Sequence, residues 1–267
     1  MGNRYLAVAF AATASLLAVA TPGQAQEKLM VGSECTYFPF NYRDSDNVLK
    51  GYDIDVANEI AKRLNAKVEY VCMKFDGLLP ALLAGKFDLI AASLSITEDR
   101  RQKIDFSVPY RLSIGQFVAP KAKKLQLFNA DGSLNKPAFK GIRVGIQRAT
   151  TYDNWFQAIV PDANVVRYEG VEAIYLDLKA GRVDAIMTNP MKTYLEFLSK
   201  PDGAGFEVVG PQITEEKYFG TGAGIGLRKD NPELLKRIDT AILDMKKDGT
   251  LDKFSKLYFP FAIYPIN

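Results

Sequence analysis

Short apolar segments alternate with helical segments along the chain, and this alternation restricts the possible folds more than any other feature of the sequence. The spacing predicts strands at 28–32, 67–72 and 87–92, with helices at 54–64 and 75–85 between them. In the helix at 54–64, apolar residues recur every three or four positions, as on a helix that packs against a core. This order predicts a parallel sheet with right-handed crossovers and a ligand crevice at the carboxyl ends of its strands.

The same order returns further along the chain. Strands are predicted at 142–146, 165–168 and 183–187, a helix opens at 150–153, and another covers 171–180. A polar connection at 121–140 separates the two units. Two such units of similar length predict an α/β protein with two lobes.

The glycine-rich segment at 219–227 lacks the signature of a phosphate loop. Leu227 stands where a dinucleotide fingerprint requires glycine, and no Gly-Lys-Ser/Thr sequence follows. We predict that this segment is a strand that passes close to neighbouring backbone. A helix from about 231 to 247 and a short helix at 251–257 follow it.

The first 25 residues have the pattern of a secretory signal peptide. Arg4 is followed by an apolar stretch to Ala20, and small residues precede the predicted cleavage after Ala25. The stretch is shorter than the roughly 18 to 20 clean apolar residues that a membrane span needs. No later segment is long and apolar enough to span a bilayer, so we expect an exported protein with no membrane span.

Composition narrows the classes of function. The chain is 48% hydrophobic and 24% charged, which is typical of a globular protein, and its net charge of +3 includes no concentrated basic arm. That balance argues against nucleic-acid binding. The chain has no histidine, so the usual general base of serine and cysteine hydrolases and the commonest zinc ligand are both missing. We expect neither a metal nor a cofactor.

Two cysteines, Cys35 and Cys72, each follow or close a predicted strand. An oxidising compartment favours a disulfide between them, provided that the two strand ends are neighbours. Two free, buried thiols fit the sequence equally well. The pairing therefore stays open at this point.

The segment at 93–101 follows the predicted strand at 87–92 and brings several polar groups together. Ser93 and Ser95 supply hydroxyls, a helix opens near Thr97, and Arg100 lies in its first turn. An arginine beside first-turn amides at the carboxyl end of a strand suits a small carboxylate. The same pattern also describes an ordinary capped helix with a solvated arginine.

Six stretches carry a resemblance to a known family. They are TYFPF (36–40), GYDID (51–55), FDGLLP (75–80), SLSITEDR (93–100), DLKAGRVDA (177–185) and GLRK (226–229). With them the chain resembles the periplasmic binding proteins of polar amino-acid ABC importers, especially the lysine/arginine/ornithine and histidine binders.

The resemblance implies a two-lobed periplasmic-binding-protein (Venus-flytrap) fold. The first lobe would be discontinuous, with residues 26–111 and 215–267, and residues 112–214 would form the second lobe, joined by two hinge strands. A small-molecule amino acid would lie between the lobes, which close over it. The partners would be an ABC permease and its ATPase subunits, and the protein would be a periplasmic monomer without a nucleotide of its own.

The resemblance also implies roles for polar residues of the cleft. Arg100 would bind the α-carboxylate of the ligand, helped by a backbone amide near Thr151 at a helix start in the second lobe. Ser93 and Ser95 would receive the α-ammonium through a carbonyl and a hydroxyl.

Three further residues would bind the side chain of the ligand. Tyr37 and Phe75 would enclose its stem, although both could simply be core residues. Glu34 matches the position of the acid that binds the distal cation, unless it is a solvated loop carboxylate. A partly buried carboxylate needs a cationic partner, which favours lysine, arginine or ornithine.

The chain departs from the family pattern at three places. Ala92 stands where the family usually has serine, and Ala61 and Val68 replace the cysteines of the disulfide in related binders. Asn189 stands where the family usually has an aspartate that neutralises the α-ammonium. We rank an unmodified cationic amino acid first and an opine such as octopine or nopaline, whose α-nitrogen is substituted, second.

Enzymes form the main competing class, because some exported dehydratases and lyases use the same two-lobed scaffold. Such an enzyme needs an acid/base pair in the cleft. Without histidine, only Glu34 and a few tyrosines or lysines are candidates. We therefore expect a binding protein and no enzymatic activity.

Overall fold

The computed structural model describes residues 1–2, 26–261 and 263. The predicted signal peptide (1–25), with its cleavage after Ala25, lies almost entirely outside these residues. Within the described chain the strands are β1 (Glu27–Ser33), β2 (Thr36–Tyr37), β3 (Asn41–Arg43), β4 (Leu49–Lys50), β5 (Ala66–Cys72), β6 (Leu89–Ile90), β7 (Asp105–Phe106), β8 (Gly115–Pro120), β9 (Arg143–Gln147), β10 (Asn164–Tyr168), β11 (Ala185–Thr188), β12 (Phe206–Ile213) and β13 (Gly226–Leu227).

The α-helices of the described chain follow most of the predicted boundaries within a few residues. They are α1 (Tyr52–Arg63), α2 (Phe75–Leu83), α3 (Glu98–Arg101), α4 (Thr151–Ile159), α5 (Val171–Lys179), α6 (Pro190–Thr193), α7 (Glu216–Phe219), α8 (Pro232–Lys247) and α9 (Thr250–Tyr258).

The first lobe is built on a five-stranded sheet in the order β5-β1-β6-β13-β7. β1 is parallel to β5 and β6, with α1 and α2 in the crossovers, which confirms the predicted strand–helix order. β13 is antiparallel to β6 and β7 and comes from the far end of the sequence. The strand predicted at 87–92 is wrong in extent, since β6 covers two residues. Ser93 has a φ of 53° and turns the chain out of the ladder.

The second lobe is built on another five-stranded sheet, in the order β10-β9-β11-β8-β12. β9, β10 and β11 are mutually parallel, while β8 runs antiparallel to β11 and β12. The chain enters this sheet between β7 and β8 and leaves it between β12 and β13. The predicted α/β class with two lobes and two connections is therefore confirmed.

An aromatic cluster fixes α4 on the second sheet. Phe117 of β8 lies against Trp155 and Phe156 of α4, with ring centroids 6.0 and 5.9 Å apart, and against Phe139 at 5.5 Å. All four rings are at most 1% exposed. Because edge-to-face aromatic packing has a specific geometry, the cluster sets the direction in which the first turn of α4 points.

The glycine-rich segment is only partly a strand. β13 covers Gly226 and Leu227, while Gly220 and Gly222 have positive φ angles that interrupt the ladder. A Cβ on Gly220 would lie 1.9 Å from the carbonyl oxygen of Ile96. The close approach that we predicted is present, and it supports the loop at 93–97, but the predicted strand over 219–227 is too long.

Two further features concern the whole described chain. No helix in the described ranges is both long and apolar enough to cross a bilayer. No group of three or more histidine, cysteine, aspartate or glutamate residues in those ranges could hold a metal ion.

The structure joins Cys35 and Cys72 in a disulfide, which the sequence had left open. The cause is the register of the parallel pair β1–β5, in which Ser33 lies opposite Cys72. Cys35 itself is not part of β1, because the strand ends at Ser33 and Cys35 has a φ of 62°.

We predict that this disulfide stabilises the folded protein. The bond closes a loop with a sequence separation of 37 residues. Chain-entropy arguments then give a loss of up to about 4 kcal/mol in the free energy of unfolding on reduction. Chemical denaturation with and without dithiothreitol measures this loss, and the Cys35→Ser/Cys72→Ser variant should not respond to the reductant. Two free thiols in denatured, unreduced protein would contradict the bond.

Candidate ligand-binding cleft

A cavity lies between the two lobes. Residues from both sheets reach it, as expected for a crevice at the carboxyl ends of parallel strands. All nine residues that the sequence singled out line it: Glu34, Tyr37, Phe75, Ala92, Ser93, Ser95, Arg100, Thr151 and Asn189.

Six other residues line the cavity and were missed: Arg111, Ser113, Ile114, Gln147, Thr150 and Tyr152. Thr150 and Tyr152 are neighbours of Thr151 at a predicted helix start, and Gln147 ends β9, so their positions were within reach of sequence reasoning. Arg111 lies between Tyr110 and Leu112 in a segment without periodicity. No sequence signal distinguishes it from a surface arginine.

Arg100 is a buried cation and not the solvated arginine of an ordinary capped helix. It is 9% exposed, and its two terminal nitrogens donate to the carbonyls of Ser95 (2.9 Å) and Ala149 (3.2 Å). Thr97 precedes α3, but its side chain makes no capping hydrogen bond. Burial lowers the pKa of Arg100 to about 10, so the guanidinium stays charged at neutral pH. Within the described residues, its hydrogen bonds go to carbonyls and not to a carboxylate. The guanidinium can therefore still pair with an anion.

The first turn of α4 lies close to Arg100 on the side of the second lobe. Thr150 precedes the helix and donates its hydroxyl to the carbonyl of Gln147 at 2.7 Å, so this side chain does not cap the first turn. The unpaired backbone amides at the helix start therefore remain available as donors. Since Arg100 reaches Ala149 next to this turn, donors from both lobes can meet at one carboxylate.

A buried network contacts both oxygens of Ser93, a residue that was predicted to receive an ammonium. The Ser93 hydroxyl donates to Asp53 at 2.8 Å and accepts from Arg111 Nε at 3.0 Å, while a terminal nitrogen of Arg111 donates to the Ser93 carbonyl at 3.3 Å. Asp53 is fully buried and also accepts from Asn41 and Tyr110, each at 2.8 Å. Burial raises the pKa of Asp53, and the positive charge of Arg111 opposes that rise.

Asn189 uses its acceptor within the protein. Its Oδ1 caps α6 by accepting from the backbone amides of Met191 (3.0 Å) and Lys192 (3.2 Å). The remaining polar group of this side chain is its NH2, which is a donor. Ser95, a further predicted ammonium partner, shares a hydrogen bond of 2.6 Å with the Ser113 hydroxyl.

Glu34 lies buried at the cavity wall and is not a solvated loop carboxylate. It is 6% exposed, and it accepts a hydrogen bond of 2.7 Å from Gln147 Nε2, a residue of the second lobe. Burial raises the pKa of Glu34 to about 7, and the bond from Gln147 and the charge of Lys192 only partly oppose this rise. A cation placed beside Glu34 would therefore stabilise its ionised form.

Two aromatic rings and one small residue complete the wall. Tyr37 stacks on Phe40 with ring centroids 5.4 Å apart, and it also lines the cavity. Phe75 is half-buried, with the Arg100 guanidinium 5.7 Å from its ring centroid. Tyr37 thus serves both as a core residue and as a cavity wall. The methyl group of Ala92 leaves space where a serine hydroxyl would stand.

Several hydrogen bonds across the cleft show that the lobes are closed. Gln147 reaches Glu34, Arg100 reaches the Ala149 carbonyl, and Arg148 pairs with Asp76. A two-lobed α/β fold with a buried, polar cavity at the junction of its lobes is the fold of the periplasmic binding proteins. Residues 29–261 match the model of the bacterial extracellular solute-binding proteins, family 3, and the chain belongs to that family.

Within this family, the chain is similar to binding proteins for polar amino acids. The histidine-binding periplasmic protein of Salmonella typhimurium is 36% identical over 89% of this chain and 90% of its own. The lysine/arginine/ornithine-binding periplasmic protein of Escherichia coli K12 is 35% identical over the same shares, 89% and 90%. The predicted resemblance is confirmed.

Solved structures agree with this placement. An ancestral arginine-binding protein bound to arginine superposes with a TM-score of 0.75 and 36% identity, over 87% of this chain and 98% of its own. An ancestral amino acid-binding protein described as a precursor of cyclohexadienyl dehydratase gives a TM-score of 0.73 and 31% identity, over 87% and 95%. The described relatives are thus binding proteins, and one of them precedes an enzyme.

The raised pKa of Glu34 predicts that discrimination between a cationic ligand and its uncharged isostere depends on pH. With citrulline in the closed cleft, Glu34 keeps a pKa near 7 and binds a proton below that pH. With arginine, the guanidinium keeps Glu34 ionised. The preference for arginine is therefore fully present above pH 7 and falls by up to about tenfold per pH unit below it.

Calorimetric titrations of arginine and citrulline between pH 5.5 and 8.5 measure the ratio of their affinities. The Glu34→Gln variant should show a small preference for arginine over citrulline that does not change with pH. A ratio that is constant across the range in the unmodified protein would remove Glu34 from contact with the ligand side chain.

Proposed function

We propose that this protein is the substrate-binding subunit of an ABC importer and captures a cationic amino acid (arginine, lysine, ornithine or histidine) between its lobes. The observation that carries the proposal is the buried carboxylate of Glu34 in the same closed cavity as Arg100 and the first turn of α4. A buried carboxylate without a cationic partner is unfavourable, and a ligand cation supplies that partner. The ligands in the names of the relatives support this class.

Each wall of the cavity then has a role. Arg100 and the backbone amide near Thr151 bind the α-carboxylate, which makes closure depend on the ligand because the two donors belong to different lobes. Tyr37 and Phe75 enclose the aliphatic stem. The distal cation lies beside Glu34.

The α-ammonium lies beside Ser93, Ser95 and Asn189. The carbonyl oxygen of Ser93 has two lone pairs, of which Arg111 uses one. One acceptor therefore remains for the ligand nitrogen.

The proposal includes the architecture and the cellular context. The lobes have the limits 26–111 with 215–267, and 112–214, and the chain acts as a monomer. Its signal peptide is removed near Ala25, and the mature protein delivers its ligand in the periplasm to a membrane permease driven by ATPase subunits. The location is supported by the relatives from Salmonella typhimurium and Escherichia coli, both of which are periplasmic proteins by name.

We further propose binding without catalysis. Besides its two arginines, the titratable groups of the cavity are Glu34, Tyr37 and Tyr152. Burial raises the pKa of both tyrosines, so neither exchanges protons readily near neutrality. Glu34 alone lacks the partner that general acid–base chemistry requires. Turnover of a bound amino acid on prolonged incubation would contradict this view.

A thermal-shift screen tests the ligand class. Arginine, lysine, ornithine and histidine are compared with glutamine, octopine and nopaline at equal concentration. A ligand present at a hundred times its dissociation constant adds about 2.7 kcal/mol to the free energy of unfolding. We expect the largest shift from one of the four cationic amino acids.

The Arg100→Ala variant is the control for the screen. It should lose the shift for every ligand, because it removes the buried charge that the carboxylate needs, which typically costs about 3 to 5 kcal/mol. The Arg101→Ala variant removes an exposed neighbour on the same helix and should keep the shift. Shifts that survive Arg100→Ala would contradict the proposed carboxylate subsite.

An opine is the second candidate, and two observations favour it. Asn189 presents an NH2 donor to the cleft, since its Oδ1 caps α6. Arg111 lies at the same cavity and donates to both oxygens of Ser93. The wall at the α-nitrogen therefore carries donors and a positive charge, which disfavours a free ammonium and suits the additional carboxylate of an N-substituted amino acid.

Replacing Asn189 with aspartate separates the two candidates. Aspartate keeps the helix cap and adds a negative charge at the α-nitrogen. If the ligand has a free ammonium there, Asn189→Asp should strengthen arginine binding by about tenfold, or 1.4 kcal/mol. If the ligand is an opine, the same change should weaken octopine binding by a similar factor. Isothermal calorimetry with both ligands gives the sign of each effect.

A further inference from the structure

Lys192 is a cation buried completely in the closed protein. Its side chain is 0% exposed, and it belongs to α6 in the second lobe. Lysine is almost never fully buried unless it is paired, because removing an ammonium from water is strongly unfavourable. The partners of this side chain therefore indicate what its burial stabilises.

Those partners come from both lobes. Within its own lobe, Lys192 Nζ lies 2.7 Å from Glu196 Oε2 and 3.6 Å from Glu172 Oε1. Across the cleft, it donates to the carbonyl of Phe38 at 3.3 Å and lies 4.8 Å from the ring centroid of Tyr37. The contacts to Tyr37 and Phe38 cross the cleft, so a separation of the lobes would break them.

The segment that Lys192 contacts is part of the binding cleft. Tyr37 lines the cavity, and Glu34 precedes it by three residues. The other side of the contact is also linked to the cleft, because Asn189 caps the helix that carries Lys192 by accepting from the Lys192 backbone amide. A ligand that binds to Asn189 and Tyr37 therefore lies between two groups that Lys192 connects.

Lys192 differs from the other contacts that bridge the lobes. Gln147 and Arg100 line the cavity, so a ligand competes for their hydrogen bonds. The Arg148–Asp76 ion pair lies at the rim with side chains 41% and 27% exposed, and such pairs contribute little. Lys192 does not line the cavity and is shielded from water, so its contacts persist when ligand is bound.

We propose that Lys192 is a positioning residue that holds the closed lobes together and fixes Tyr37 against the ligand, which sets how long the ligand stays bound. The proposal rests on ligand capture between the lobes, and it concerns the lifetime of the complex and not the choice of ligand. When the lobes open, the ammonium exchanges the Phe38 carbonyl and the Tyr37 ring for water.

Dissociation kinetics with arginine as the probe test this role. Lys192→Met keeps the length of the side chain and removes its charge, and we expect arginine to dissociate about tenfold faster while its association rate changes less than twofold, because interface contacts act mainly on dissociation. Lys192→Arg should restore slow dissociation. The control Lys200→Met removes an exposed lysine of the same lobe and should leave both rates unchanged.

The double variant Lys192→Met/Glu196→Gln separates this role from simple misfolding. It removes both charges of the closer pair and leaves only Glu172, whose side chain is 52% exposed, so it should fold and still release arginine quickly. The proposal would be overturned if arginine dissociated from Lys192→Met at the unmodified rate. It would also be overturned if the loss of affinity came equally from slower association and faster dissociation.

If none of the four cationic amino acids changes the melting temperature of the unmodified protein, the proposed ligand class fails and the role of Lys192 is tested without a ligand. Small-angle X-ray scattering of the ligand-free proteins then decides. A larger radius of gyration for Lys192→Met than for the unmodified protein supports the role, and equal radii overturn it.

Discussion

The buried carboxylate of Asp53 connects three segments of the first lobe around the ligand cavity. It lies in the first turn of α1 and accepts from Asn41 of β3, from Ser93 in the site loop and from Tyr110 in the connection to the second lobe. Asn41 in turn accepts from the backbone amide of Cys35, next to Glu34. A fully buried charge with three hydrogen bonds tolerates little displacement, because each lost bond leaves an unpaired group in a region without water. The positions of Glu34, Ser93 and Arg111 therefore depend on this one side chain.

Charge distribution explains why the cleft favours closure around a ligand. Arg100 is buried with only carbonyl partners in the described chain, and Glu34 is buried with an amide partner. No carboxylate is among the hydrogen-bond partners of Arg100, and the charge of Lys192 offsets the burial of Glu34 only in part. A zwitterionic ligand with a distal cation supplies both countercharges at once, so the free energy gained depends on carboxylate and cation together. A neutral amino acid satisfies Arg100 but leaves Glu34 to bind a proton.

The sequence predicted the fold and the polar half of the site because both depend on local order. Strand–helix alternation is readable from periodicity, and Arg100 follows a strand end by a fixed distance in a segment that also resembles a family. The disulfide depends on the register of β1 against β5, which no local pattern contains. The burial of Arg111 and Lys192 was not predicted, because a charged residue is buried only when distant segments supply its partners. In both cases those partners, Ser93 and Phe38, are far away in the sequence.

Asn189 occupies a position where asparagine and aspartate would support the same fold but present different groups to a ligand. Aspartate and asparagine both cap a helix through one oxygen, so α6 begins at the same residue with either. The second atom of the side chain differs: aspartate would present a charged acceptor, and asparagine presents a donor. Arg111 adds a positive charge near the same wall. We therefore propose that ligand identity is decided at the α-nitrogen, beside Asn189, while Arg100 and Glu34 bind the groups that arginine and its N-substituted derivatives share.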